Sequence, residues 1–261
     1  MIHHSGHVTH FANPRSNSDL AYPDQLKASL NLKDAEKAYV EISNWPNYKD
    51  TPLHQLKELS SELKISNIFY KDEAERFSLG SFKALGGAYA VLVQLKNIIA
   101  AETGNIVHTA ELLNGTYIDI TTDIVVSCAT DGNHGRSVAW GAQLFGCQCV
   151  IYIHAHVSEG RETLIRSFGA EIVRVDGNYD ESVRQAALDA ATHKRIIVSD
   201  TSYAGYTEIP KFVTLGYTVM IKEIIEQLGD EIPTHVFLQG GVGGLAAAVC
   251  AYFWQYWGNR R

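Results

Sequence analysis

The chain has 261 residues, 46% of them hydrophobic and 20% charged, a globular composition that excludes a disordered tail or a fibre. At ~100–200 residues per domain it makes one large or two small domains. Its 22 lysines and arginines against 29 aspartates and glutamates leave a net charge of −7, which offers no positive field to a phosphate backbone or an anionic membrane and argues against both as partners.

In chain order, the first 50 residues are polar and irregular. His3, His4, His7 and His10 form a histidine-rich tail able to hold adventitious metal. No basic and apolar leader is read at the N-terminus. A helical pattern over 26–43 is broken by Asn44-Trp45-Pro46-Asn47. From Pro52 onward, helical and strand patterns alternate. Helices are predicted over 54–64, 81–103, 135–145, 158–168, 179–193, 211–228 and 245–256. Strands are predicted over 68–71, 124–129, 148–154, 171–175, 196–199 and 235–239. The polar stretch 104–123 reads as an insertion or hairpin. Strands separated by helices, with β-branched runs such as Ile124-Val125-Val126, predict an α/β fold whose mostly parallel sheets are covered on both faces. No apolar stretch reads as a membrane span of ~18 residues, the longest being 245–254. Cys128, Cys147, Cys149 and Cys250 lie in apolar runs without zinc-ribbon spacing, so reduced thiols and a cytoplasmic location are expected.

Three segments carry chemistry. In Ser78-Leu79-Gly80-Ser81-Phe82-Lys83, Ser81 is a good N-cap. It would put Lys83 in the first turn of a helix, where the positive dipole end disfavours an ammonium. That environment, with Phe82 and Leu85 beside it, lowers an amine's pKa and suits Schiff-base formation; the plainer alternative is a solvated lysine. The segment Thr130-Asp131-Gly132-Asn133-His134 follows a buried strand, where α/β sheets bind ligands. A second copy of the tripeptide, Asp176-Gly177-Asn178, is expected simply to turn a strand into a helix. The third segment, Gly240-Gly241-Val242-Gly243-Gly244, precedes a helix, and amides at a helix N-terminus suit a phosphate. A dinucleotide fingerprint is the rival reading, but it needs a second strand ending in an acid ~20 residues on, and the sequence stops at Arg261.

Lesser candidates are His154 and His156, read as strand-end polar residues rather than metal ligands, and Cys147 and Cys149, read as core thiols. No metal is expected. Asp200, at the carboxyl end of a strand, is either a site acid or a cap.

In this order and spacing, the lysine of Ser-Phe-Lys, the Gly-Asn-His loop and the glycine-rich loop resemble the fold type II pyridoxal-phosphate enzymes, the tryptophan synthase β and threonine dehydratase group. The resemblance runs from about residue 52 to 248. It implies pyridoxal 5'-phosphate as cofactor, Lys83 as its Schiff-base lysine, Asn133 as partner of its phenolic oxygen, and Gly240, Gly241, Val242, Gly243 and Gly244 as its phosphate cradle. Asp131 before Gly-Asn-His, and the stretch 200–206, resemble the diaminopropionate ammonia-lyases within that group. The activity implied is α,β-elimination of 2,3-diaminopropionate to pyruvate and two ammonia, with Lys83 and Asp131 as candidate bases and Asp200 assisting. A serine/threonine dehydratase, or an inactive cofactor-binding relative, remains as an alternative.

The resemblance also implies a small domain over 77–191 between large-domain parts at 1–76 and 192–261, and a homodimer when complete. Family members continue beyond residue 261. A truncated large domain is therefore expected, with a bare sheet edge and an uncovered apolar helix at 245–254.

Overall fold

The computed structural model describes residue 14, residues 20–130 and residues 132–258. The histidine-rich tail and Asp131 lie outside the described residues. The elements are helices α1 (Asp24–Lys27) and α2 (Leu32–Ser43), strand β1 (Leu53–Gln55), helix α3 (Lys57–Leu63), strand β2 (Phe69–Lys71), and helices α4 (Lys83–Thr103), α5 (Thr109–Leu113) and α6 (Ile118–Thr121). They continue as β3 (Val125–Ala129), α7 (Asn133–Phe145), β4 (Gln148–His154), α8 (Glu159–Arg166), β5 (Glu171–Val175), α9 (Tyr179–His193), β6 (Ile196–Ile197), α10 (Glu208–Leu228) and α11 (Gly244–Trp257).

Strands β5-β4-β3-β6 form one parallel sheet in that order, with Val126 opposite both Cys149 and Ile196. The period of two sorts its side chains between faces. Val126, Cys128, Cys149, Ile151 and Ile153 enter the main core, whereas Val125, Val150, Tyr152 and Val173 meet Ala186 of α9 on the other face. On the main-core side the helices stack outward, α7 on the sheet, α4 on α7, α10 on α4, and α2 and α11 on α10. Two of these crossings need glycine. A Cβ on Gly216 would come within 2.5 Å of the Leu85 carbonyl oxygen and 2.8 Å of the Gly86 Cα, and one on Gly141 within 2.7 Å of the Ala88 Cα. Helix α4 is therefore clasped backbone to backbone between α7 and α10.

Several expectations are corrected. Residues 54–64 are not one helix: β1 pairs antiparallel with β2 before α3 begins, because His54 and Gln55 find a partner strand that outweighs local propensity. The 26–43 pattern splits into α1 and α2, where Asn31 caps α2 by accepting from the Asp34 amide. The 104–123 segment is neither hairpin nor coil but the short helices α5 and α6. Helix α4, with a mean hydropathy of 1.4, is long and apolar enough to cross a membrane by composition; here it is mostly buried between α7 and α10, as a core helix is.

The predicted strand at 235–239 does not form. Among the described residues no strand lies beside it to complete a ladder, and it runs as an irregular segment with Phe237 91% exposed. Helix α11, by contrast, is not bare: Leu245, Ala248, Val249, Tyr252 and Phe253 are buried, and Trp254 donates to the Leu20 carbonyl at 2.7 Å.

A buried polar network fastens the stretch from Tyr48 to Arg76 to α10. Arg76 grips Glu223 with both terminal nitrogens, at 2.7 and 2.6 Å, and Glu73 through Nε at 2.9 Å. Lys71 adds a 2.7 Å bond to Glu223, and Tyr48 donates to the same carboxylate at 2.8 Å. Just beyond Arg76, Phe77 and Ser78 hold left-handed φ of 49° and 60°. Such strain persists only where neighbours enforce it; here Phe77 is wedged between Trp45 and Trp140.

Candidate active site

The order β5-β4-β3-β6 places the site. From β3 the chain steps outward through β4 and β5, then returns to add β6 on the opposite side of β3. Loops leaving β3 and β6 therefore diverge at their carboxyl ends and open a crevice, the usual ligand position in open α/β sheets. Asn133 and His134 follow β3, and Asp200 follows β6.

Lys83 is the first residue of α4; Phe82, not Ser81, holds the N-cap position, while the Ser81 hydroxyl accepts from the Lys83 amide at 3.2 Å. The Lys83 ammonium donates to Asp200 Oδ2 at 2.5 Å. Burial works to raise the Asp200 pKa, but the Lys83 ammonium beside it prevails and holds the carboxyl below its ordinary value. Lys83 is thus paired and only partly exposed, and Asp200 bonds to it rather than to a helix start. Tyr206 explains how Asp200 is held: its hydroxyl donates to the Ile197 carbonyl at 2.8 Å and accepts from the Ser199 amide at 2.9 Å, bracing the end of β6.

His134 is fully buried and its Nε2 lies 2.8 Å from the Val198 carbonyl. A carbonyl only accepts, so Nε2 carries the proton and Nδ1 presents its lone pair, 3.9 Å from Asp200 Oδ2. Burial keeps this imidazole's pKa below its ordinary value. Thr130 shapes the turn before it, accepting from the amides of Gly132 and Gly135, each at 3.1 Å. Asn133 opens α7 with an exposed side chain.

Gly240, Gly241, Val242 and Gly243 form the loop entering α11, which Gly244 begins; Gly243 has φ 93°. The first amide to donate within α11 is that of Ala247, to Gly243 at 2.9 Å, so the amides of Gly244, Leu245 and Ala246 are the free donors of a helix start. A Cβ on Gly240, Gly241 or Gly243 would meet nothing within 4 Å. Lys83, Asn133, Asp200 and the whole glycine loop line one open cavity of about 1610 Å³. Free donors over open space at one wall and an amine at another suit a ligand bearing a phosphate and an aldehyde, so the residues present fit pyridoxal 5'-phosphate.

Elsewhere, Asn178 caps α9 in a reciprocal pair with Glu181, so the second Asp-Gly-Asn is a turn as expected. His154 and His156 pack edge to face at 5.9 Å, with His154 Nδ1 accepting from the His156 amide at 3.1 Å. Burial pushes the Cys147 thiol up to about 12. The sequence reading missed Tyr206 and Tyr217, whose roles depend on contacts rather than on any local pattern.

A lysine at one helix start and a glycine-rich loop at another, facing a single crevice at the switch point of a parallel sheet, define a cofactor-binding α/β enzyme. The chain belongs to the pyridoxal-phosphate dependent enzyme family, whose model matches residues 45–261. Diaminopropionate ammonia-lyase of Salmonella typhimurium is 42% identical over 212 residues, 80% of this chain and 52% of that protein. The crystal structure of Escherichia coli diaminopropionate ammonia lyase in apo form matches with a TM-score of 0.79 at 35% identity, covering 86% of this chain and 60% of that one. A biosynthetic L-threonine dehydratase of Staphylococcus epidermidis is more distant, 26% identical over 233 residues, 87% of this chain and 47% of that protein. The chain thus spans about half the length of the curated relatives it matches.

Proposed function

We propose that this chain carries the cofactor half of a diaminopropionate ammonia-lyase, which eliminates ammonia from 2,3-diaminopropionate and yields pyruvate and a second ammonia. The observation that carries the reading is the Lys83–Asp200 pair at 2.5 Å on the wall of the glycine-loop cavity. Lys83 would hold pyridoxal 5'-phosphate, the amides that begin α11 together with Gly240, Gly241, Val242, Gly243 and Gly244 would receive the phosphate, and Asn133 would meet the phenolic oxygen. When bound, the cofactor supplies an electron sink for a carbanion at the substrate α-carbon.

The chain's own residues do the rest. Lys83 must be neutral to act as nucleophile or base, and Asp200 Oδ2 sits where it can take the ammonium proton. When that proton has passed on to solvent, Asp200 is again a carboxylate, now without its lysine counter-ion, in a cavity that Asp72 and Glu73 also line. It attracts a substrate with a second ammonium over one with a β-hydroxyl, which favours the diamino acid over a serine/threonine dehydratase reading. Asp131 and Lys83 are the candidate bases that remove the α-proton.

We also assign residues 77–191 to a small domain and residues 1–76 and 192–261 to parts of a large one, and expect a homodimer of the complete enzyme. A second reading, cofactor binding without turnover, is favoured by the unpaired, exposed segment around Phe237.

The test is an absorbance scan of the purified protein with pyridoxal phosphate, before and after 2,3-diaminopropionate, with pyruvate assayed. A visible band that changes with substrate and releases pyruvate supports the lyase. A band without pyruvate supports the second reading. Faster turnover of L-serine or L-threonine overturns the substrate assignment.

A further inference from the structure

Tyr217 of α10 is 2% exposed, and its hydroxyl is buried without a hydrogen-bond partner among the described residues. Buried tyrosine hydroxyls nearly always find a partner, so an orphan calls for a reason. The position of the ring offers one. Its Cε1 occupies the space a Cβ on Gly86 would need, at 2.5 Å, while its Cε2 lies 3.5 Å from where a Cβ on Gly244 would stand. It also packs edge-on against Phe82 at 5.0 Å. Tyr217 thus bridges the first turn of the lysine helix and the first residue of the phosphate helix, and it lines the same cavity as Lys83 and Gly244. The missing side chain of Gly86 lets the ring in, and Gly244 lies in van der Waals reach on its other side.

Resting on the cofactor reading above, we propose that the Tyr217 hydroxyl is a cofactor-binding donor, completing the phosphate site begun by the amides of α11. Burial, reinforced by the Asp200 charge, pushes its ionisation well above the ordinary range, so it remains a neutral O–H able to donate to an anion. An acceptor belonging to a ligand held beside Gly244 also explains why the hydroxyl is unpaired in the protein alone. A water at this point would satisfy the hydroxyl equally well, and binding measurements separate the two cases.

The experiment compares the wild-type chain with Tyr217→Phe, each stripped of cofactor. Dissociation constants are measured for pyridoxal 5'-phosphate and for pyridoxal, together with the melting temperature of each apoprotein. A hydrogen bond to a charged group predicts about a 10- to 100-fold weaker pyridoxal 5'-phosphate affinity in Tyr217→Phe. Pyridoxal affinity should change less than about twofold, and the apo melting temperature should stay level or rise, because an unsatisfied hydroxyl has been removed. Equal weakening for both ligands would refute the phosphate contact. Unchanged affinity, with or without a lower apo melting temperature, would make the hydroxyl merely structural or water-bound. If wild type binds neither ligand, the cofactor reading falls and this inference with it; if wild type binds and the variant is indistinguishable, only the inference falls.

Discussion

Replacing Glu223 by Gln tests the polar network that ties the segment before Lys83 to α10. Glu223 is 0% exposed and meets Arg76, Lys71, Tyr48 and the Thr51 amide. The substitution keeps the shape but removes the charge, leaving Arg76 paired with Glu73 and Lys71 bonded to the Thr51 carbonyl, and it turns an N–H₂ donor toward groups that are themselves donors. Breaking a buried pair in this way costs about 3–5 kcal/mol. For a chain of this size, about 2–4 °C per kcal/mol converts that to a melting temperature about 6–20 °C lower. Burial works to raise the Glu223 pKa, but Arg76 and Lys71 hold it below the ordinary value, so wild type should lose this stabilisation as the pH falls below ~4, a loss absent from the variant. Differential scanning calorimetry from pH 7 to 3 reads both effects. The control is Glu226→Gln: the Glu226 side chain is 49% exposed and meets Lys222 only at 3.6 Å, so its loss should cost under ~1 kcal/mol. A Glu223→Gln protein melting within 2 °C of wild type, with the same acid profile, would refute the network as a structural clamp.

The remaining expectations are shorter. Gly216→Ala would set a methyl against the backbone of Leu85 and Gly86. Overpacking of about 1–3 kcal/mol should lower the melting temperature and, by shifting α10, weaken cofactor binding; full retention of both would contradict the close crossing. Lys83→Ala should abolish the visible band formed with pyridoxal phosphate, and a wild-type-like spectrum would remove Lys83 from its proposed role. Because burial holds His134 neutral, only the unfolded chain gains its proton near pH 6.5. Urea midpoints should therefore be level above ~7 and fall from ~6.5 downward, and a flat midpoint between pH 7 and 5.5 would show that His134 does not resist protonation.

Much of the site was legible in the sequence because its parts are local. The Ser81-to-Lys83 helix start, the turn before Asn133 and the glycine run before α11 each follow from backbone rules that operate within a few residues, and α/β alternation follows from hydrophobic period. The errors fell where pairing decides. His54 and Gln55 became a strand only because Phe69 and Tyr70 lie alongside, whereas 235–239, with a better strand composition, is irregular with no strand beside it among the described residues. A strand is a property of two segments, so one segment's composition cannot settle it.

The same division runs through the chemistry. Residue order alone determined that an amine, a turn and an anion-binding loop exist, and a resemblance named the cofactor they imply. Only the tertiary structure decided that Lys83 pairs with Asp200 across 117 positions of sequence, that the buried His134 faces that pair, and that Tyr217 reaches between two helix starts with its hydroxyl unmatched. Those facts depend on sheet order and on glycine-mediated helix crossings, which bring distant residues within a few ångströms and which no local pattern encodes.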